Sequence, residues 1–326
     1  MPNKITRRKA LTTSIKGSVA AMAGYSFAPT WANSPAGYGA EIRQKLPFRI
    51  SLNTSTISAY KLPVDQQIDK VAATGFDGIE LWMRDVKSYL ESGGTTAILR
   101  QKLQTGNLIL EDMIGFSPWC SDDAGERKKA VAQLRKEMLL TAELGGKYIA
   151  APVLSLKTLD PAKFDAYIER YSAILDLKSE TTVTPLLELW GMGALHKLAD
   201  CAKIAIGTAH PDAAILLDFY HIYRGGNSWE TLDLLNGARL PVIHINDYPA
   251  TPSSDKLTDA DRVLPGEGIC PFDEILPKLY ASGFRGGLSV ELFNKDYWAS
   301  MDVDTLLKKS YESTFRTVKN TLDDRG

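Results

Sequence analysis

Four apolar runs between residues 186 and 293 each lead into a side chain able to bind a metal ion or carry a proton. They are Leu186-Leu187-Glu188-Leu189-Trp190-Gly191, Leu216-Leu217-Asp218-Phe219-Tyr220-His221, Val242-Ile243-His244-Ile245-Asn246-Asp247 and Leu288-Ser289-Val290-Glu291-Leu292-Phe293. A buried carboxylate without a partner costs several kcal/mol or takes up a proton, so three of them converging on one place need a cation. Three carboxylates and one imidazole form a mixed oxygen and nitrogen set with room for substrate oxygens. Such a set suits Mn²⁺, Mg²⁺ or Co²⁺ better than a closed structural zinc site, without excluding Zn²⁺. Any one of the residues alone is as readily a structural hydrogen bond or salt bridge at a strand end. Four in register make a divalent-metal site of Glu188, Asp218, His244 and Glu291 the stronger reading.

What must position them is a repeated unit: a β-rich apolar run, a turn marked by Gly, Pro or Asp, and a longer amphipathic stretch. Eight units follow one another from Phe48, with strands expected at Phe48–Thr54, Gly78–Met83, Leu108–Phe116, Lys147–Val153, Thr184–Leu189, Ala213–Phe219, Val242–Asp247 and Gly287–Leu292. These runs are Ile, Leu and Val on both faces, as buried parallel strands require. Apolar residues three and four apart predict helices over Val64–Thr74, Gly125–Leu144, Pro161–Leu177, Leu195–Ile206, Phe272–Ala281 and a closing Val303–Leu322. Eight alternating strands and helices fit an α/β fold closed into a (β/α)8 TIM barrel, whose strand C-termini share one mouth. An open doubly wound sheet is the alternative, weakened because no strand-to-helix turn carries Gly-x-Gly-x-x-Gly.

The bulk composition agrees with one large soluble domain. The chain has 326 residues, 44% hydrophobic and 24% charged, and 38 basic against 39 acidic side chains give a net charge of −1. That balance offers no field to gather nucleic acid or an anionic membrane surface. The N-terminus differs: Thr6-Arg7-Arg8-Lys9-Ala10-Leu11 precedes a short Ala/Gly-rich apolar stretch and Ala28-Pro29-Thr30-Trp31-Ala32. Paired arginines before a weakly apolar segment resemble a twin-arginine export signal, which implies a periplasmic protein in a bacterium. The expected division is a signal peptide over 1–32, a lead-in over 33–47 and the catalytic barrel over 48–326; no other segment reads as a membrane span. Cys120, Cys201 and Cys270 match no zinc or redox spacing and are read as buried thiols, a single disulfide being the alternative.

The pattern resembles the xylose-isomerase-like barrel superfamily of sugar isomerases and epimerases, over everything after the export signal. The nearest likeness is to inosose (2-keto-myo-inositol) isomerases, carried by Arg262-Val263-Leu264-Pro265-Gly266-Glu267-Gly268, Phe272-Asp273-Glu274-Ile275-Leu276 and Ser289-Val290-Glu291-Leu292-Phe293-Asn294, with Tyr297-Trp298 beyond. Gly78-Ile79-Glu80-Leu81-Trp82 is a weaker, superfamily-wide signature. The resemblance implies that Glu188, Asp218, His244 and Glu291 are the metal ligands and that Glu188 and Glu291 also exchange a proton with a substrate carbon. It further implies that His221 and Arg262 meet substrate oxygens. Glu80 would meet substrate hydroxyls or pair with Arg84, while Trp82, Trp119 and Trp190 would wall the site or serve the core. His196 and His210 have capping or surface roles.

The implied activity is isomerisation or epimerisation of a keto-sugar, inosose or keto-glycoside through a cis-enediolate. One departure is Ala194, where ketohexose epimerases carry a second glutamate six residues after the strand-five ligand, so a free-hexulose epimerase is disfavoured. The same enolisation of a 3-keto-glycoside could expel its aglycone, making a metal-dependent lyase one alternative and a non-catalytic sugar-binding barrel another. An endonuclease-IV-like role is disfavoured by four histidines and near-neutral charge. The partner expected is a small carbohydrate or cyclitol, with homo-oligomerisation left open.

Overall fold

In a computed structural model of the chain, residues 46–323 are described, and everything below concerns them. The signal peptide and nearly all of the lead-in expected from the sequence lie outside the described residues. The apolar runs form strands β1 (Arg49–Asn53), β2 (Gly78–Trp82), β3 (Ile109–Ile114), β4 (Tyr148–Pro152), β5 (Thr184–Glu188), β6 (Ile215–Asp218), β7 (Val242–Ile245) and β8 (Gly287–Val290). Neighbours pair in parallel around a closed barrel in chain order, β8 returning to β1. Each strand lies within its expected run and stops one or two residues early. The cause is visible at β2 and β6, where the backbone turns directly into the helices Met83–Glu91 and Phe219–Arg224.

Most amphipathic segments fold as their spacing predicts. Val64–Thr74 and Phe272–Ala281 fall on the expected bounds, and the closing helix runs Val303–Asp323. Two are corrected: Pro161 opens a separate 3-10 turn, Pro161–Lys163, before the helix Phe164–Leu175, and the helix after β5 begins at Leu198 rather than Leu195. The three cysteines are buried and free, so the alternative of a disulfide is not realised.

Side-chain alternation divides the core into two layers. Leu187, Leu217, Ile243 and Leu288 face outward into the packing of sheet against helices, whereas Leu186, Leu216 and Val242 form, with Ile114 and Ala150, a smaller cluster inside the barrel. The inward set continues upward into Glu188, Asp218 and His244. Pairing is staggered in even steps that preserve this inward face: Glu188 lies opposite Leu216, two residues before Asp218, and His244 lies opposite Ser289, two before Glu291. Asp218 and His244 are directly opposite each other. The other end of the barrel is plugged by Glu111, which accepts from Arg49 Nε and Nη2, both at 2.7 Å, and from Ser51 Oγ at 2.9 Å. Gly78 and Gly287 leave it room, since a Cβ at either would stand 2.6–2.7 Å from the Glu111 side chain.

Candidate metal and active site

Three of the four expected ligands meet. Atoms of Asp218, His244 and Glu291 lie within 4.8 Å of one another, and all three residues are buried. His244 turns Nδ1 towards Glu291 Oε2 at 3.1 Å and Asp218 Oδ2 at 3.6 Å, without the alignment of a hydrogen bond to either. The remaining oxygens are used elsewhere. Asp218 Oδ1 accepts from Asn246 Nδ2 at 3.0 Å and, capping the helix Phe219–Arg224, from His221 N at 3.2 Å. Glu291 Oε1 accepts from Asn53 Nδ2 at 3.1 Å. Glu188 stands outside this triad but lines the same cavity, with Glu291, His221 and Arg262. The buried imidazole nitrogen and the facing carboxylate oxygens are a donor set of the kind a divalent cation takes, and both oxygens also accept from Arg262 Nη1, which a bound ion would share or displace.

Arg262 occupies the centre of the charge pattern. Its Nη1 donates to Asp218 Oδ2 at 2.7 Å and Glu291 Oε2 at 2.8 Å, and Nη2 donates to Asp259 at 2.6 Å. A loop salt bridge with Asp259 is therefore present beside the contacts to the site. The local fold explains the placement: Asp247 accepts from the backbone N–H groups of Gly266, Gly268 and Cys270 at 2.8–3.0 Å, holding the loop after Arg262. Gly268 is required there, since a Cβ would stand 2.3 Å from Tyr248 O. Asn294 Nδ2 ties down the Arg262 carbonyl at 3.0 Å, and the guanidinium lies over Tyr220 at 4.4 Å.

These contacts set the protonation states. Burial alone would raise Asp218, but Arg262 and His221 hold it well below the usual carboxylate range. Burial pushes Glu188 up to about 8, with His244 opposing and Glu291 adding. Burial lowers His221 to about 4, so it is neutral at pH 7. For His244 burial opposes the charge, but Glu291 and Glu80 raise it well above the ordinary histidine value. Arg262 Nη2 lies 3.2 Å from His221 Nε2; donation there leaves the proton on Nδ1, which has no hydrogen-bond partner.

The structure places the other expected residues as follows. Glu80 is fully buried beneath the cavity, its Oε2 3.2 Å from His244 Nε2, and does not pair with Arg84. Arg84 instead stacks over Trp82 at 4.1 Å and contacts Asp85. Trp82 and Trp190 line the cavity, whereas Trp119 lies away from it, bonded to Pro152 O and packed against Tyr171. His196 approaches Gly193 O and His210 accepts from Asp212 N, both local structural contacts. Not anticipated from the sequence are Asn53, Asp112 and Asn246. Asn53 and Asp112 flank Glu80 in register on β1 and β3, a signal visible only once the strands are aligned. Burial, followed by the Glu80 charge, raises Asp112 well above the ordinary carboxylate value.

Comparison with known proteins agrees with this architecture. A family model described as xylose isomerase-like TIM barrel matches residues 68–315. An inosose isomerase of Bacillus velezensis is 26% identical over 266 residues, spanning 79% of this chain and 90% of that protein. The inosose isomerase of Bacillus subtilis is 25% identical over 221 residues, 67% of this chain and 75% of that one. Among solved structures, the IolI protein with a bound zinc atom superposes with a TM-score of 0.76 at 22% identity, covering 84% of this chain and 99% of that one. D-psicose 3-epimerase in the presence of D-fructose gives 0.68 at 18% identity, covering 84% and 99%. With a closed eight-stranded barrel and a family match over most of its length, the chain belongs to the xylose isomerase-like TIM barrel family.

Proposed function

We propose that this chain is a divalent-metal-dependent isomerase or epimerase acting on a keto-sugar, inosose or keto-glycoside by proton transfer next to a carbonyl. The observation that carries the reading is the convergence of Asp218, His244 and Glu291 on one buried point, beside Glu188 on the cavity floor. Relatives named as inosose isomerases and sugar epimerases support it, and a zinc-bound structural relative supports a metal among Mn²⁺, Mg²⁺, Co²⁺ and Zn²⁺. Asp218, His244 and Glu291 would hold the ion, with Glu188 from the same cavity as the fourth ligand. When bound, it would act as a Lewis acid on a ketone oxygen and acidify the neighbouring C–H.

The protein's own groups do the rest. A carboxyl pushed up to about 8 is present in both forms near neutral pH, as required of a group that takes a proton and returns it. Glu188 or Glu291 removes the proton from the carbon carrying the hydroxyl, and the electron pair left behind forms the C=C bond of a cis-enediolate as the carbonyl oxygen becomes anionic. Returning the proton to the former carbonyl carbon, while the hydroxyl proton passes to the former carbonyl oxygen so that the new C=O forms at the original carbon, gives the isomer; returning it to the original carbon from the opposite face restores the ketone and gives the epimer. Arg262 supplies fixed positive charge, and neutral His221 offers Nδ1–H to a substrate oxygen as that charge develops.

The test is incubation of metal-loaded protein with inososes, ketohexoses and 3-keto-glycosides in D₂O. Deuterium is expected at the carbon next to the carbonyl, with Glu188→Gln and Glu291→Gln reducing exchange by about 10²–10⁴-fold. No exchange with any α-hydroxy ketone under any of the four cations would sink the proposal, and release of an aglycone would reassign the chain as a lyase. We also propose twin-arginine export to the periplasm, on Arg7-Arg8 and the apolar stretch that follows. Replacing both arginines by lysine should leave the protein in the cytoplasmic fraction; unchanged fractionation would refute export.

A further inference from the structure

The cavity above the floor has a volume of about 200 Å³, and its chemistry is divided. Glu188, His221, Asp259, Arg262 and Glu291 supply the ionisable part of the lining. The rest of the wall is Trp82, Ile114, Phe116, Trp190, Met192 and Phe293, apolar but for the Trp190 indole N–H, which is buried without a hydrogen-bond partner. The rings form a continuous arc. Phe293 meets Trp82 with centroids 6.3 Å apart, Trp82 meets Phe116 at 5.1 Å, Phe116 meets Trp190 at 6.1 Å, and Trp190 meets His221 at 6.1 Å. The Trp82 indole N–H is already committed to Asn53 Oδ1 at 2.8 Å, so this ring presents carbon to a ligand. The apolar surface continues outward, Phe116 being 39% and Met192 49% exposed at the rim.

A free cyclitol or hexulose carries a hydroxyl on nearly every carbon. Hydroxyls on the side of such a ligand facing the arc would lose water and find few partners. A ring-bearing apolar group in the same place gains from each aromatic contact instead. We propose that the substrate is amphipathic: a keto-sugar whose α-hydroxy ketone meets the ionisable floor and whose apolar, ring-bearing substituent lies against the aromatic arc. It would thus be a glycoside of an aromatic or alicyclic alcohol rather than a free polyol. This inference rests on the function proposed above and narrows its substrate class.

The experiment measures binding separately from turnover, by calorimetry on the Mn²⁺-loaded protein with phenyl 3-keto-β-glucoside, its methyl counterpart and scyllo-inosose. The phenyl compound is expected to bind at least about tenfold more tightly than either of the others. Phe116→Ala and Met192→Ala, both at the exposed rim, should reduce that advantage about threefold or more while leaving methyl-glycoside affinity within about twofold. Equal affinities across the three ligands, tightest binding of scyllo-inosose, or an advantage unchanged in both variants would each overturn the inference. If the phenyl preference holds but no ligand exchanges deuterium, the substrate-class inference stands as a statement about binding and the enolisation reading fails. If exchange occurs without the preference, the reverse follows.

Discussion

Glu80 touches His244 and does not line the cavity, so its effect on a ligand would pass through the imidazole. A carboxylate accepting from Nε2–H fixes the ring with Nδ1 turned towards Asp218 and Glu291 and makes that nitrogen a stronger ligand once a metal displaces its proton. Glu80→Gln should therefore weaken Mn²⁺ binding by about 10–100-fold in calorimetry, with the metal-free fold retained. Unchanged affinity would show that β7 alone orients the ring. Asp112, next to Glu80, makes a prediction of different sign. Its folded pKa is raised, so the proton-linked stability it contributes is fully present below the ordinary carboxylate pKa and is lost as pH rises towards the folded value. Asp112→Asn removes that loss. In urea unfolding of metal-free protein the variant should match the parent near pH 4 and gain on it by about 1 kcal/mol per pH unit above; a constant difference would refute the assignment. Of these side chains, Glu188, Asp218, His244 and Glu291 were legible because each follows an apolar run. Asn53 and Asp112 were not, because only the strand register brings them beside Glu80.

At the scale of elements, the closing helix Val303–Asp323 packs against both Val64–Thr74 and Phe272–Ala281, bridging the first and last units of the barrel. Leu307 is wholly buried there, so Leu307→Ala should cost about 2–5 kcal/mol in chemical denaturation. The affinity of the folded protein for Mn²⁺ should stay unchanged, since the helix supplies no side chain to the cavity. Apolar spacing made this helix and the eight strands readable almost to their ends. It did not reveal where helix begins after β5: residues 191–197 form a turn whose Trp190 N to Leu195 O bond at 3.0 Å holds Trp190 at the cavity. That turn is decided by tertiary contact, for which the local sequence carries no periodic signal.

Across the whole molecule, the two ends of the barrel separate stability from chemistry. Glu111, buried at the end opposite the mouth, is held by Arg49 and Ser51 and takes no part in the site. Glu111→Gln should lower unfolding free energy by about 2 kcal/mol, Arg49 being part-exposed, while leaving metal affinity and turnover as in the parent. A matching loss of metal affinity would reveal coupling along the barrel axis. The even stagger between strands carries a consequence of its own for how such a chain can change length. Deleting or inserting a single residue between Leu216 and Asp218, or between Ser289 and Glu291, would turn the carboxylate out of the barrel and into the helix layer. The loops bearing Phe116 and Met192 face no such parity, so a change of length at the rim leaves the inward face of the strands where it is.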